Sequence, residues 1–238
     1  MIVKMILKGN RQKHITMKTI RLFIKMNRLL KTMATLMITT TLFILSGCEK
    51  ENLFYKHEYV DLGLPSGNLW ATCNVGADSP EEYGDYFAWG ETEPKRVYNL
   101  DTYKYRDSIP YMGHGEDVLR GNDDAASVKW GGNWHIPTYS DWWELCHETT
   151  IEKTSKNGVK GLCFKGSNGN SLFLPYTGCI AENELYEVGV RGEYWTSTCV
   201  YVDFHQWFQL ILDNFDIEMQ SEGYVYHGRS IRPVRSAE

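Results

Sequence analysis

No Asp or Glu occurs before position 49, although the whole chain carries 30 acidic against 25 basic residues. An acid-free start of that length is not the surface of a folded domain; it points to a targeting segment. The chain also lacks a long hydrophobic run. Its most apolar stretch, residues 33–45, is shorter than the about 20 residues that a spanning helix needs, so that segment is not a membrane anchor of the helical kind. Chemistry-bearing motifs are missing too. No two cysteines are spaced Cys-x-x-Cys, and Cys and His do not cluster at ligand spacing, which excludes a zinc signature. His-Glu-x-x-His, phosphate-binding glycine loops and Gly-x-Ser-x-Gly are absent, which removes the common metalloprotease, nucleotide and hydrolase readings. No repeat appears at solenoid periods.

What stands in the acid-free segment is informative. Nine Lys or Arg precede the apolar run, and the run closes on Leu45-Ser46-Gly47-Cys48. A basic flank, a short apolar run and a small-residue junction make a secretory signal. The junction resembles the lipobox of bacterial lipoproteins. That resemblance implies cleavage before Cys48, a thioether-linked diacylglycerol on its sulfur, and the lipid bilayer as a partner through acylated Cys48. Residues 1–47 are then the signal peptide, 48–56 a lipidated tether and 57–238 the domain. Met26-Asn27-Arg28 would serve as a signal start by itself, so residues 1–25 read as an over-extended start. The expected location is the outer membrane, facing periplasm or cell surface. Glu49-Lys50-Glu51-Asn52 is a short polar tether whose acids resemble a surface-export signal.

Removing the signal leaves 191 residues, one domain of ordinary size, with 16 basic and 30 acidic residues and a net charge of −14. Such a surface repels nucleic acid and anionic lipid, so attachment falls to the lipid on Cys48. All eight Trp and all fifteen Tyr lie in this part. They read as an aromatic-rich core, with some exposed rings available for stacking. Cys73, Cys146, Cys163, Cys179 and Cys199 are an odd set, so export permits disulfides but leaves at least one thiol over.

The pattern along the domain predicts strands over 57–62, 69–72, 161–165, 171–174, 185–188, 193–198, 206–212, 217–220 and 230–234. The 206–212 segment is apolar on both alternating sets, the mark of a central strand. Ser167-Asn168-Gly169-Asn170 carries the Asn-Gly hairpin signal. Ser79-Pro80-Glu81-Glu82 predicts a short helix start. Asp123-Asp124-Ala125-Ala126 predicts a capped helix toward Trp130. Thr138 and Asp141 have capping-box spacing, and Trp142, Leu145, Cys146 and Thr149 form one apolar stripe behind them. Cys146 on that stripe reads as a small core residue. Residues 92–122 read as a long irregular connection.

The order of several motifs is shared with a known family. Val60-Asp61-Leu62-Gly63-Leu64-Pro65-Ser66-Gly67, Leu69-Trp70-Ala71-Thr72-Cys73-Asn74-Val75-Gly76-Ala77 and Tyr83-Gly84-Asp85-Tyr86-Phe87-Ala88-Trp89-Gly90-Glu91 open the series. Trp130-Gly131, Trp134, Pro137-Thr138, Gly169-Asn170-Ser171-Leu172-Phe173-Leu174-Pro175, Gly192-Glu193-Tyr194-Trp195-Thr196-Ser197-Thr198 and Gly228-Arg229-Ser230-Ile231-Arg232-Pro233-Val234 complete it. The chain thereby resembles the Fibrobacter succinogenes major paralogous domain family over about residues 59–235. The resemblance implies an α+β fold of the C-type-lectin-like kind used by formylglycine-generating enzymes, with irregular twisted antiparallel sheets and two main helices. It leaves function open. His135 departs from the family's usual Arg. Cys163, Cys179 and Cys199 also depart, either as a private disulfide or as small core residues.

A non-catalytic binding module for a glycan or protein ligand follows as the expected function, without cofactor or metal. In such folds loops around the later strands carry the ligand face, which here points to Tyr176, Glu182, Asn183, Glu184, Tyr186, Tyr201, Asp203, His205 and Trp207. The calcium tripeptides of sugar-binding lectins, Glu-Pro-Asn and Gln-Pro-Asp, are absent. Trp134, Trp142, Trp195, Arg229 and Arg232 read as framework. A structural or accessory subunit of a surface assembly is the alternative. An enzyme of the formylglycine-generating type is disfavoured, because Cys199 has no second Cys beside it.

Overall fold

The computed structural model describes residues 25–26, 57–107, 118–199, 209–212, 217–220 and 224–237. The chain divides into two compact units, Met1–Leu53 and Phe54–Glu238. Of the first, only the helical Lys25 and Met26 are described. Among the described residues no helix is long and apolar enough to cross a membrane.

The second unit is an α+β domain built from small antiparallel sheets. Strands β1 (Tyr59–Asp61) and β2 (Leu69–Ala71) pair with the last strand, β11 (Val234–Arg235), in the order β1-β2-β11. β3 (Thr150–Lys156), β4 (Val159–Lys165) and β5 (Ser171–Pro175) form a meander. β6 (Cys179–Ala181) and β7 (Glu184–Tyr186) form a hairpin. β8 (Gly192–Trp195), β9 (Gln209–Leu212) and β10 (Ile217–Gln220) form a sheet with β9 in the middle, the central place its sequence predicts. Two helices, α1 (Ala125–Trp130) and α2 (Tyr139–His147), lie between β2 and β3 in the chain.

Local chemistry explains most of these elements. The Thr138 hydroxyl accepts from Asp141 N at 3.2 Å while the Asp141 carboxylate accepts from Thr138 N at 2.7 Å, a reciprocal cap that starts α2. Trp142 and Leu145 then point into the core, each fully buried. Asp124 caps α1 and is itself buried: its two oxygens accept from Ser127 N at 2.9 Å and Ile136 N at 2.8 Å. Burial pushes its carboxyl above the usual range despite those donors. In the meander, Leu162, Phe164, Leu172 and Leu174 face inward, and Lys165 and Ser171 face solvent.

The motifs near the start dock onto this meander. Asn168 and Asn170 both donate side-chain N–H groups to Asp61 O, at 2.9 and 2.8 Å. A Cβ on Gly166 would sit 2.0 Å from Leu62 O, so only glycine allows the approach. Ser66 binds both carboxylate oxygens of Glu144 on α2, through N at 2.8 Å and Oγ at 2.5 Å.

The fold corrects several expectations. Ser79-Pro80-Glu81-Glu82 is a turn and not a helix. Glu82 does reach back to Asp78 N at 2.7 Å, but Gly84 follows at φ 71 with its Cα packed against Val75 O, and the chain turns away. β3 was not expected as a strand. Its residues are almost all exposed, so it has no apolar alternation, and its existence rests on pairing with β4. The turn between them is Asn157-Gly158, at φ 50 and 84, the two positive values that a tight primed hairpin turn requires. β6 was not expected either. The expected 230–234 strand is not continuous: Ser230 makes one bridge to Tyr194, residues 231–233 are irregular, with Pro233 lacking an N–H for a ladder, and pairing resumes at Val234 in β11.

Two clusters fill the interior. One gathers Phe87, Trp89, Tyr98, Tyr103, Trp134, Trp195 and Ile231. The other gathers Trp70, Trp142, Phe164, Leu174, Tyr176 and Tyr194, with the Trp70 and Trp142 rings 4.7 Å apart.

Candidate binding face on the β6–β7 hairpin

The hairpin turns through Glu182 and Asn183, with Ala181 opposite Glu184. Glu182 has φ 55, a left-handed value that a residue with a Cβ adopts only when its surroundings hold it. The holding groups are visible. Tyr98 and Glu182 exchange both backbone hydrogen bonds, at 2.6 and 3.0 Å, and Asn99 Nδ2 donates to the Glu182 carboxylate at 2.7 Å. Two residues earlier, Ile180 exchanges both backbone bonds with Gly228 at 2.8 Å. In an antiparallel ladder the facing residue then turns its own N–H and C=O the opposite way. Leu185 faces Ile180, so its backbone groups point off the outer edge of β7. Among the described residues β7 pairs with β6 alone. Gly178, at φ 60, leads into the hairpin; a Cβ there would meet Tyr186 O at 2.0 Å.

The hairpin presents apolar side chains to solvent on a clamped backbone. Leu185 is 56% exposed, Tyr186 45% and Val190 53%. Glu182, Asn183, Glu184 and Glu187 are exposed around them. Tyr186 donates to Glu184 at 3.2 Å, and that carboxylate pushes its phenol pKa upward. On the 224–228 segment, which reaches the hairpin through Gly228, Tyr224 is exposed and stacks on Tyr226 at 4.9 Å. The Tyr226 phenol is shifted upward chiefly by burial, with Glu182 adding to the shift.

Beneath this face lies a buried ionic clamp. Glu193 is 1% exposed; one oxygen accepts from Arg229 Nε at 2.9 Å and the other from Arg191 Nε at 3.0 Å. Arg191 also pairs with Glu187 at 2.5 Å. The Arg229 guanidinium lies 4.4 Å over the Trp195 ring and donates to Tyr224 O at 3.3 Å. One charged pair thus ties β8, the hairpin exit and the 224–228 segment together.

Burial pushes the thiol of Cys179, beside the clamp, up to about 11, with Glu193 adding to it, and the thiol of Cys146, on α2, up to about 12. Neither is a thiolate at neutral pH. Burial, aided by Arg229, pushes His227 down to about 4. Among the described residues no three His, Cys, Asp or Glu side chains stand together as metal ligands, and no disulfide forms.

His227 gives a pH dependence whose sign is fixed. Its folded pKa lies below that of a free histidine, about 6.5. The unfolded chain therefore binds a proton that the folded chain refuses, and stability falls as pH drops from about 6.5 to about 4. The ring is partly solvated, so screening reduces the effect to about 1–2 kcal/mol. His227→Gln should lose less stability than the parent between those pH values in urea titrations; equal losses would show that this imidazole is not the source.

The expected ligand residues are placed unevenly. Glu182, Asn183, Glu184 and Tyr186 come together on the hairpin. Tyr176 does not: it is 2% exposed and packs in the core cluster with Trp142 and Tyr194, because the chain enters the interior after β5 before it reaches the hairpin. Tyr201, Asp203, His205 and Trp207 lie outside the described residues, as does Cys48. Leu185, Val190, Asn99, Tyr224 and Tyr226 were not anticipated. The alternation Tyr224-Val225-Tyr226 was the available signal, with Val225 buried, Tyr224 exposed and Tyr226 half-buried against the core.

The framework residues occupy the interior. Trp134, Trp142 and Trp195 are at most 1% exposed, and Trp142 donates its indole N–H to Trp195 O at 3.2 Å. Arg232 is fully buried and donates to Asn74 Oδ1 at 2.8 Å, Ala71 O at 3.1 Å and Thr72 O at 2.7 Å. Desolvation lowers its pKa to about 10, which leaves it charged. His135 bonds through its backbone to Val234 on both sides of the bridge, at 3.0 Å. Comparison with known proteins finds no matching family model, no matching curated protein and no matching solved structure.

Proposed function

We propose that this protein is a lipid-anchored, extracytoplasmic binding module, without catalytic activity, whose ligand face is the β6–β7 hairpin and the 224–227 segment beside it. The observation that carries the reading is the set of exposed apolar side chains, Leu185, Tyr186 and Val190, on a backbone fixed by Tyr98, Gly228 and the Glu193 clamp. Rigid presentation of apolar groups among polar ones is what recognition surfaces require. Aromatic rings beside carboxylates and an amide suit either a glycan or a protein ligand. The same proposal includes the outer-membrane location, with Cys48 acylated and facing periplasm or cell surface, and the C-type-lectin-like family fold. The small antiparallel sheets and two short helices are compatible with that fold.

A second reading has one observation in its favour. The outward N–H and C=O of Leu185 offer a short strand edge to another chain, which suits a subunit of a surface assembly.

The test is a glycan and protein binding screen with the detergent-extracted full protein, followed by Leu185→Ser and Tyr186→Ala. Both side chains are exposed, so stability should change by no more than about 0.5 kcal/mol. Affinity for a ligand of this face should fall about tenfold or more, as for contact residues costing above about 1 kcal/mol. A ligand indifferent to both changes, or turnover of a substrate, would sink the reading. In the same material Cys48→Ala should leave the membrane fraction or stay unprocessed; normal processing with unchanged membrane retention would remove the anchor.

A further inference from the structure

A second concavity lies away from the hairpin, on the outer face of the β3–β4–β5 meander. Its volume is about 290 Å³. The register accounts for its shape. Glu152, Thr154 and Lys156 of β3, Gly161 and Cys163 of β4, and Ser171 and Phe173 of β5 share this face of the sheet. Gly161 has no side chain, and the Phe173 ring folds across it: a Cβ on Gly161 would sit 2.8 Å from Phe173 Cζ. The result is a depression with an aromatic ring at its base. Thr72 and Pro80, from the turn after β2, wall one side. Thr154 and Ser171 add hydroxyls, Lys156 adds an ammonium and Cys163 a half-buried thiol.

No carboxylate lines this groove. Glu152 stands on the same face opposite Cys163, where Lys165 pairs with it at 2.6 Å, and Glu81 takes the Asn157 amide and lies within electrostatic reach of Lys156. In a domain with a net charge of −14, a concavity walled by hydroxyls and one cation stands apart from the rest of the surface. Its volume is at the lower limit of small-molecule pockets, room for one small ring and not for a chain. An aromatic base suits the C–H face of a saturated ring. A rim of hydroxyl and ammonium donors suits that ring's own hydroxyls.

We infer that this groove is a ligand site for a single pyranose-sized polyol, seated over Phe173 and bonded by Thr72, Thr154, Ser171 and Lys156. It shares no residue with the hairpin face, and it stands or falls independently of the reading given above. The bond to Lys156 has two forms: a hydrogen bond to a neutral hydroxyl, or a charged pair with the carboxylate of an oxidised sugar.

Cys163 makes the test direct, because it lies in the groove wall and a bound ring must shield it. The full protein in detergent is labelled with iodoacetamide, and the rate of modification at Cys163 is followed by peptide mass spectrometry. Probes are glucose, galactose, mannose, N-acetylglucosamine, glucuronate and galacturonate. At a concentration about ten times Kd the free fraction, and with it the labelling rate, should fall about tenfold. The rates at Cys73 and Cys146 should not change. Protection by neutral sugars in Lys156→Gln as in the parent assigns Lys156 the weaker, neutral role; protection only by uronates, lost in Lys156→Gln, assigns the charged pair. Phe173 is almost buried, and its removal would disturb the sheet. Thr154→Trp is the safer variant, since it fills the groove from an exposed position. It should abolish sugar-dependent protection and leave the thermal midpoint unchanged. Unaltered Cys163 labelling with every probe, or full protection in Thr154→Trp, overturns the assignment.

Discussion

Trp195→Ala should destabilise the domain by about 3–5 kcal/mol, the cost of emptying a buried aromatic site. Three separate losses meet at this residue. Its ring is 1% exposed within the core cluster that includes Phe87, Trp89 and Trp134. Its indole N–H donates to Phe87 O at 2.6 Å, and that carbonyl would lose this donor. Its face carries the Arg229 guanidinium at 4.4 Å, a contact worth about 1–2 kcal/mol away from water. A domain of this size has about 5–15 kcal/mol in all, so the variant should be largely unfolded in moderate urea. Trp195→Phe separates the contributions: it keeps most of the apolar area and loses only the N–H. Urea denaturation of both variants, read as midpoint and slope, is the measurement. A Trp195→Ala domain with a near-parental midpoint would mean that the ring is not framework.

The second large effect is expected at the clamp. Glu193→Ala leaves the Arg229 guanidinium buried without its carboxylate, which typically costs about 3–5 kcal/mol. Arg191 loses one partner as well but keeps Glu187. The double variant Glu193→Met with Arg229→Met should recover most of the loss, because two apolar groups of similar volume need no charge compensation. Because the clamp underlies the 224–228 segment, the single variant should also weaken any ligand of the hairpin face beyond what its stability predicts. Equal destabilisation by the single and double variants would show that burial of carbon, and not the charge pair, is the source.

The sequence made different parts of this molecule legible to different degrees, for physical reasons. α2 was readable because two independent local signals agree there: the reciprocal cap of Thr138 and Asp141, and the stripe holding Trp142 and Leu145. The 79–82 segment shows the limit of that reasoning. Its capping chemistry is present, but the tight approach of Gly84 to Val75 overrides it. β3 was unreadable because nothing on it is fully buried; a strand held only by its neighbour leaves no apolar period in the sequence. At the candidate face, exposed acids near a turn were recoverable from composition. The direction of a single ring was not. Tyr176 and Tyr186 look alike in the chain, and one lies in the core while the other faces water. Tyr224 and Tyr226 are brought to the hairpin by the pairing of Ile180 with Gly228, a contact between positions far apart in sequence.

That long-range closure has a consequence for how the domain is made. β2 lies between β1 and β11, with Trp70 paired to Val234, so the sheet nearest the amino end of the domain cannot be completed until β11 is present. Ser230 and Arg232, whose bonds reach back to Tyr83 and Asn74, arrive equally late. Contacts of such separation are slow to form, and folding times for topologies of this kind extend from milliseconds toward seconds. A chain without β11 has an unfinished β1-β2-β11 sheet, although the other three sheets have all their strands. Loss of β11 therefore costs the domain its first sheet as well as its last strand, so damage at one end is felt at the other.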